Sequence, residues 1–527
     1  MNVSVLNKQI QAVPADALIV NLFEGVISPS GAAGAIDTAL GASDGVPGSG
    51  MLSQVIKLGD VKGKLNEVAV LYTHGLIPAP RVIVVGLGKP GDLKADRVRQ
   101  ASGAAARKAR DLGCRRVTTI VHGSGAGGLT AREAAEATVE GALLGTYQFR
   151  EHRSKPDAGK DIDELMVVEY DQAKLGDVQA GVNAGAVMAG AINAARDLIN
   201  RAPNVLTPGA FAASAQAMAT RTGLICTVLT EKEISEHKMG GILAVTQGSL
   251  QPPRFVVLEH RPARPAALAG QPQSELEPVI LVGKGVTFDT GGISIKPGEG
   301  MGAMKGDMAG AAAVFGALQA IAALKLPRRV IGLMPLVENM PSDRAFRPSD
   351  VITMMSGLTV EVISTDAEGR LILADALHYA KRFQPAGVID LATLTGTAVT
   401  AMGEGMGSVV FMNTDAWATR VLEAATVAGE RMWRMPLYPE YGDKIRSDVA
   451  EIKNSGGRTG GLGASAYFLK RFVEDTGEKG GGKEGDAYPW AHVDMAGMAF
   501  ASDTRGYNPR GALGYGVRTL VELVKRA

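Results

Sequence analysis

A chain of 527 residues is too long for one ordinary core, so two or three domains are expected. Lys+Arg number 55 against 54 Asp+Glu, a formal net charge of +1, so no global field favours nucleic acid or an anionic membrane. Two cysteines, Cys114 and Cys226, exclude a disulfide framework and a thiolate metal cluster, and a reducing, cytoplasmic location is expected.

Residues 1–8 alternate like a strand and lack the charged and apolar regions of a signal peptide, so secretion by that route is not expected. Strand-like runs at 18–22, 68–72, 81–85 and 117–121 alternate with helical stretches at 95–112 and 130–148, which predicts a first, smaller α/β domain. The run at 81–85 leads into Gly86-Leu87-Gly88-Lys89-Pro90-Gly91, formally a dinucleotide-binding pattern. Pro90 and the continuation Asp92-Leu93-Lys94-Ala95-Asp96 predict a turn ahead of a later helix, so these glycines would not open the helix that holds a pyrophosphate. A dinucleotide-binding N-terminal domain is therefore the weaker reading. Arg107-Lys108-Ala109-Arg110 and Arg115-Arg116 keep a DNA-binding role as an alternative, against the plainer reading of a solvated helix face.

A charged segment at 150–160, a strand at 165–170 and a long alanine-rich helix at 180–199 follow, which places the domain boundary near residue 170. The expected domains are 1–170 and 171–527. Beyond the boundary, strands at 254–258, 279–282, 329–335, 360–363, 388–392 and 491–494 interleave with helices. That pattern predicts a larger C-terminal domain with a mostly parallel sheet wrapped by helices. The apolar stretch 308–324 is rich in Ala and Gly and reads as a buried helix, not a membrane span. Gly480-Gly481-Gly482 marks an exposed loop before the last strand.

Chemistry gathers in three segments of the second domain. Directly after the apolar run at 279–282 come Gly283-Lys284-Gly285 and then Asp289-Thr290-Gly291-Gly292, with Lys296-Pro297 beyond. Met304-Lys305-Gly306-Asp307-Met308 opens the 309–324 helix, where Asp307 alone would read as a capping or dipole residue. The third segment is Ser364-Thr365-Asp366-Ala367-Glu368-Gly369-Arg370-Leu371, at a predicted switch from strand to helix, where α/β proteins bind ligands. Thr365-Asp366-Ala367-Glu368 also matches a helix capping box.

Jointly, Asp289, Asp307, Asp366 and Glu368 set four carboxylates at strand ends or helix starts, and such a cluster does not stay ionised without cations. Four anionic ligands balance two divalent ions when Lys284 binds as a neutral amine, while Lys296 stays charged. Asp366 and Glu368 are two apart, so in extended backbone they would point to one side. Two metals about 3.5–4 Å apart deprotonate a bridging water and polarise a carbonyl, so amide hydrolysis is the expected reaction. With four carboxylates committed as ligands, Arg370 at a helix start reads as an anion site, and a small anion such as bicarbonate would relay the proton.

These motifs resemble the leucyl aminopeptidases of the cytosol aminopeptidase family. The family octet begins with Asn where this chain has Ser364, and is otherwise matched. The block from Gly283 to Pro297 matches too, as do Asp197-Leu198-Ile199-Asn200 with Pro203-Asn204-Val205-Leu206-Thr207-Pro208, Glu338-Asn339-Met340-Pro341, Asp390-Leu391-Ala392-Thr393-Leu394-Thr395-Gly396, Ser447-Asp448-Val449-Ala450 and the 489–497 segment. The resemblance is firm from about residue 190 onward and weak before it.

The resemblance implies an exopeptidase with two divalent ions, Mn²⁺ or Zn²⁺, held by Lys284, Asp289, Asp307, Asp366 and Glu368, with Asp289 and Glu368 bridging. It implies that Lys296 polarises the substrate carbonyl, that Arg370 holds bicarbonate with Leu394 lining that site, and that Met304, Thr393, Gly396, Ala496 and Ala499 form the side-chain pocket. Peptide substrates, a preference for leucine-like N-termini and a homohexamer are likewise implied, while charge and composition lead to the expectation of no membrane partner. Gly306 and Ala309 depart from the commonest family residues, and neither is a ligand. No HExxH or Walker A motif is present, His378 and His492 read as structural, and the lone thiols lack a placed histidine for cysteine protease chemistry.

Overall fold

The computed structural model describes residues 1–41, 50–155, 161–262, 277–457, 459–474 and 487–527. The predicted loop at Gly480-Gly481-Gly482 and the end of the charged 150–160 segment lie outside the described residues. Two compact units divide the chain: Met1–Asn193 with Asp503–Arg510, and Ala194–Ser502 with Gly511–Ala527.

The first unit holds a sheet of six strands: β1 (Asn2–Leu6), β2 (Ala17–Leu22), β3 (Val68–Tyr72), β4 (Arg81–Gly86), β5 (Arg116–Ile120) and β6 (Glu164–Val168). Their order is β1-β6-β5-β2-β4-β3, parallel throughout except for the antiparallel edge strand β3. Alternation along β4 explains the layering: Val82 and Val84 enter one core while Ile83 and Val85 enter another, so both faces are covered.

The glycines of the 86–91 pattern serve close packing. A Cβ on Gly86 would stand 1.9 Å from Lys64 O, and Gly88 N donates to Gly63 O at 2.9 Å. A short 3-10 turn at Pro90–Asp92 follows, and the helix begins only at Ala95. Among the basic residues weighed for DNA, Arg110 pairs with Asp111 and Arg115 with Asp163.

The expected boundary near residue 170 precedes the helix Leu175–Asn200, whereas the two units divide inside it. The cause lies in its first turns. Val178 and Val182 share a core with Ala134, Ala135 and Val139, and Cβ atoms on Gly181 and Gly185 would meet Arg132 O and Glu136 O at 2.2 and 2.4 Å. Those glycines let two helices approach closely.

The second unit contributes β7 (Ile225–Leu229), β8 (Arg254–His260), β9 (Val279–Gly283), β10 (Gly285–Asp289), β11 (Val330–Asn339), β12 (Val351–Thr353) and β13 (Thr359–Glu361). It continues with β14 (Gly387–Ala392), β15 (Ser408–Met412), β16 (Met432–Arg434), β17 (Ile452–Lys453) and β18 (Trp490–Asp494). Its main sheet runs β16-β15-β18-β14-β9-β11-β8-β7, with β10 also beside β11. The centre, β18-β14-β9-β11, is parallel, and the neighbours β15 and β8 are antiparallel to it. β9 and β14 are buried along their whole length, as a parallel sheet covered on both faces requires.

One expectation fails here. The sequence pattern predicts the 360–363 strand in the main sheet, but β13 belongs to a separate three-stranded sheet, β12-β13-β17. Val360 and Val362 nevertheless enter the same core as Ile280 and Val282, so the apolar run carries no mark of which sheet it joins. The segment Met301–Ala323 is long and apolar enough to cross a membrane, but 89% of its apolar window is buried inside the fold, which makes it a core element.

Candidate metal centre

Three segments converge at the carboxyl ends of the central strands. Lys284 sits between β9 and β10, and β10 ends in Asp289. The 3-10 turn Met301–Gly306 delivers Asp307 just ahead of the helix Ala309–Ala323. The octet feeds the helix Gly369–Ala380, whose first residue passes so close to Lys284 that a Cβ there would lie 2.4 Å from Lys284 Cε. Glycine at 369 is therefore a packing requirement of the site.

Asp289, Asp366 and Glu368 each offer an oxygen within 4.8 Å of the others, a grouping that can hold a metal ion. Lys284 Nζ lies 2.8 Å from both Asp307 Oδ2 and Glu368 Oε1 and donates to Thr393 O at 3.1 Å. Lys296 Nζ lies 2.8 Å from Asp289 Oδ2 and also pairs with Asp366. All five predicted metal ligands and Lys296 are thus in one site.

Asp366 and Glu368 converge by a different route from the one expected. The backbone at 365–366 is a turn, and Glu368 is already helical, with φ −76° and ψ −38°. Ser364 Oγ accepts from Asp366 N at 3.2 Å and Ser364 O from Ala367 N at 3.3 Å, which closes that turn. Thr365 is not a helix cap either: its hydroxyl donates to Gly291 O at 2.5 Å and accepts from Ser294 N at 2.8 Å. It ties the octet to the loop that carries Lys296. Gly291 and Gly292 have φ of 84° and 67°, and a Cβ on Gly292 would stand 2.8 Å from Asn339 Oδ1, so the loop needs glycine where it passes the octet.

Four carboxylates face two ammonium groups in surroundings that disfavour charge. Burial pushes Asp307 well above the usual carboxylate range, burial and Glu368 together push Asp289 up to about 6, and Asp366 rises for the same reasons. Burial would raise Glu368 too, but Lys284 and Lys296 outweigh it and hold its carboxyl below the ordinary value. Burial alone would lower Lys284, yet Asp307, Glu368 and Asp289 prevail and raise it; Lys296 rises likewise through its carboxylate neighbours. The excess of negative groups is the condition that divalent cations relieve. Glu368 Oε2, buried and without a hydrogen-bond partner, is a free lone-pair site facing that excess, so the residues fit a metal pair.

Arg370 is 8% exposed, and Nη1 donates to Asn454 O at 2.6 Å, while Nε is buried without a partner. Burial lowers its pKa to about 10, which leaves a cation at neutral pH. Thr393, expected in the side-chain pocket, touches the metal site directly through Oγ1–Asp307 Oδ1 at 2.7 Å. Leu394 N donates to Asp494 Oδ1 at 3.2 Å. Met304 lies on the turn before Asp307, Gly396 opens the helix Gly396–Met402, and Ala496 opens the turn Ala496–Met498 that Ala499 follows. Ala496 and Met402 both pack against the buried cluster that contains Ala398 of the Gly396 helix.

Sequence reasoning gave no role to two buried asparagines. Asn339 Nδ2 donates to Asp289 Oδ1 at 2.8 Å and to Thr365 O at 3.0 Å, and its place in the Glu338–Pro341 motif was the available signal. Asn454 lies outside every quoted motif. His492 is structural, with Nδ1 2.6 Å from Asp390 Oδ1 and the ring between Phe411 and Trp490.

A two-unit α/β chain with lysines and carboxylates gathered at the ends of parallel strands has the build of a metallohydrolase. Residues 193–521 match the model of the cytosol aminopeptidase family, catalytic domain, and residues 31–156 match that family's N-terminal domain. A probable cytosol aminopeptidase of Geobacter sulfurreducens is 44% identical over 90% of this chain and 91% of its own length, and one of Solibacter usitatus is 41% identical over 99% of both. Among solved structures, the bottromycin maturation enzyme BotP in complex with Mn is 34% identical with a TM-score of 0.81, covering 97% of this chain and 99% of that one. A mutant of tomato leucine aminopeptidase is 29% identical with a TM-score of 0.84, covering 100% of this chain and 97% of that one. The chain belongs to the cytosol aminopeptidase family and is a metal-dependent aminopeptidase that acts on peptides.

Proposed function

We propose that the enzyme removes leucine-like N-terminal residues from peptides at a dinuclear centre. The observation that carries this reading is the cluster of Lys284, Asp289, Asp307, Asp366 and Glu368, with more carboxylates than its lysines balance and an unpartnered oxygen on Glu368. These five residues would hold two divalent ions, Mn²⁺ or Zn²⁺, with Asp289 and Glu368 bridging. A bound pair supplies a hydroxide at neutral pH and polarises the scissile carbonyl.

The remaining work falls to the chain's own groups. Lys296, held beside Asp289 and Asp366, donates to the substrate carbonyl oxygen and stabilises the oxyanion as it forms. Arg370, with Leu394 alongside, would hold a bicarbonate, which would supply a proton acceptor where the four carboxylates are committed as ligands. The α-amine of the substrate binds as the neutral amine, so catalysis strengthens as pH rises. Met304, Thr393, Gly396, Ala496 and Ala499 line the pocket for the N-terminal side chain. The enzyme works as a homohexamer in the cytoplasm.

The test is product analysis by mass spectrometry on matched peptides, one free and one N-acetylated. Stepwise loss of residues from the free peptide alone is expected, with N-terminal Leu cleaved faster than Asp. Internal cleavage, or equal cleavage of the acetylated peptide, overturns the exopeptidase reading. Bicarbonate is tested in carbon-dioxide-free buffer: its addition should raise turnover in the parent enzyme and not in Arg370→Ala.

A further inference from the structure

We propose that Asn454 is a positioning residue of this centre, fixing the turn that presents Asp366 and Glu368 and orienting Arg370. It follows β17, which runs parallel to β13, and its N–H continues the ladder by donating to Glu361 O at 2.9 Å. The strand pairing sets it abreast of the chain that leaves β13 for the octet. Its side chain is 0% exposed, and all its hydrogen-bonding capacity is turned on that segment. Oδ1 accepts from Ile363 N at 2.8 Å and Ser364 N at 3.3 Å, while Nδ2 donates to Ser364 O at 2.7 Å and, at the weak limit of 3.5 Å, to Ala367 O.

Asp366 therefore sits on a turn gripped on both sides by one carboxamide. The Asp366 side chain is 37% exposed against 2% for Glu368, so packing holds it least and the turn beneath it matters most. The main-chain oxygen of Asn454 adds a second constraint, accepting from Arg370 Nη1 at 2.6 Å. One residue thus links the presentation of two carboxylates to the aim of the guanidinium. Outer groups of this kind set ligand direction, and their loss weakens metal affinity about 10–100-fold.

This inference rests on the reading of Asp366 and Glu368 as metal ligands. Its test is calorimetric titration of the full-length, chelator-treated protein with Mn²⁺, comparing the parent, Asn454→Ala, Asn454→Asp and Leu469→Ala. Leu469 is fully buried in the core of the same unit and controls for general loss of stability. The alanine change removes all four side-chain bonds. The aspartate change keeps the volume and the acceptor to Ile363 and Ser364 but sets an oxygen against Ser364 O. Both Asn454 variants should bind at least one of the two ions about 10–100-fold more weakly, with Leu469→Ala within threefold of the parent. An Asn454 variant that folds and binds both ions within threefold of the parent overturns the inference. Asn454→Asp, with Arg370 beside it, decides the matter where Asn454→Ala does not fold. A parent protein that takes up no Mn²⁺ sinks the metal reading and this inference with it, whereas unchanged affinity in the variants sinks this inference alone.

Discussion

Thr365→Val probes the joint on which the site depends. Valine keeps the shape and removes a hydroxyl that donates to Gly291 O and accepts from Ser294 N, at 2.5 and 2.8 Å. Thr365 is 0% exposed, so water does not replace those bonds. Each buried backbone group left without a partner costs about 1–3 kcal/mol, and the extra methyl returns about 1 kcal/mol of apolar burial. With two such groups, the net loss is roughly 1–5 kcal/mol. All three tryptophans, Trp417, Trp433 and Trp490, lie in the second unit, so urea melts followed by tryptophan fluorescence report on that unit. Turnover should fall at least about tenfold, because the hydroxyl links the loop of Lys296 to the turn of Asp366. Thr365→Ser should keep most of both properties. A valine variant within about 0.5 kcal/mol of the parent and with unchanged turnover refutes the claim that this hydroxyl joins the two segments.

Two further outcomes follow from the same structure. Glu368→Ala should lose nearly all turnover and bind fewer than two Mn²⁺ per chain by metal analysis; substantial turnover would remove Glu368 from the bridging role. His122 in the first unit is 0% exposed, and burial lowers its pKa from 6.5 to about 4. The unfolded chain takes up this proton at higher pH than the folded one, so stability is lost as pH falls from about 6.5 to about 4, by roughly 3 kcal/mol. Urea midpoints by far-ultraviolet circular dichroism should show this acid loss in the parent and a flatter profile in His122→Gln; identical profiles contradict it.

The catalytic block and the octet were readable because each packs its functional residues into a few consecutive positions, and the folding that joins them only completes what each begins. Asn454 was invisible for the opposite reason. Its partners Ile363, Ser364, Ala367 and Arg370 lie 84 to 91 residues away, and nothing around it marks a buried carboxamide. The short strands β7, β15 and β16 were missed as well, and β7 alternates between exposed and half-buried positions at the sheet edge. The octet's backbone was misjudged because spacing alone does not separate an extended pair of carboxylates from a turn closed by Ser364. That serine, the departure from the family octet, now has a role: its hydroxyl supplies the turn bond to Asp366 N.

The proposed catalysis depends on metal held by the clustered carboxylates and Lys284. Hydrolysis of a leucyl chromogenic amide by the purified full-length protein, before and after exhaustive chelation and again after Mn²⁺ is restored, tests it most directly. Activity that disappears with chelator and returns with Mn²⁺ is the predicted result. Activity indifferent to chelator, or absent with every divalent ion supplied, would show that this cluster does not work through bound metal.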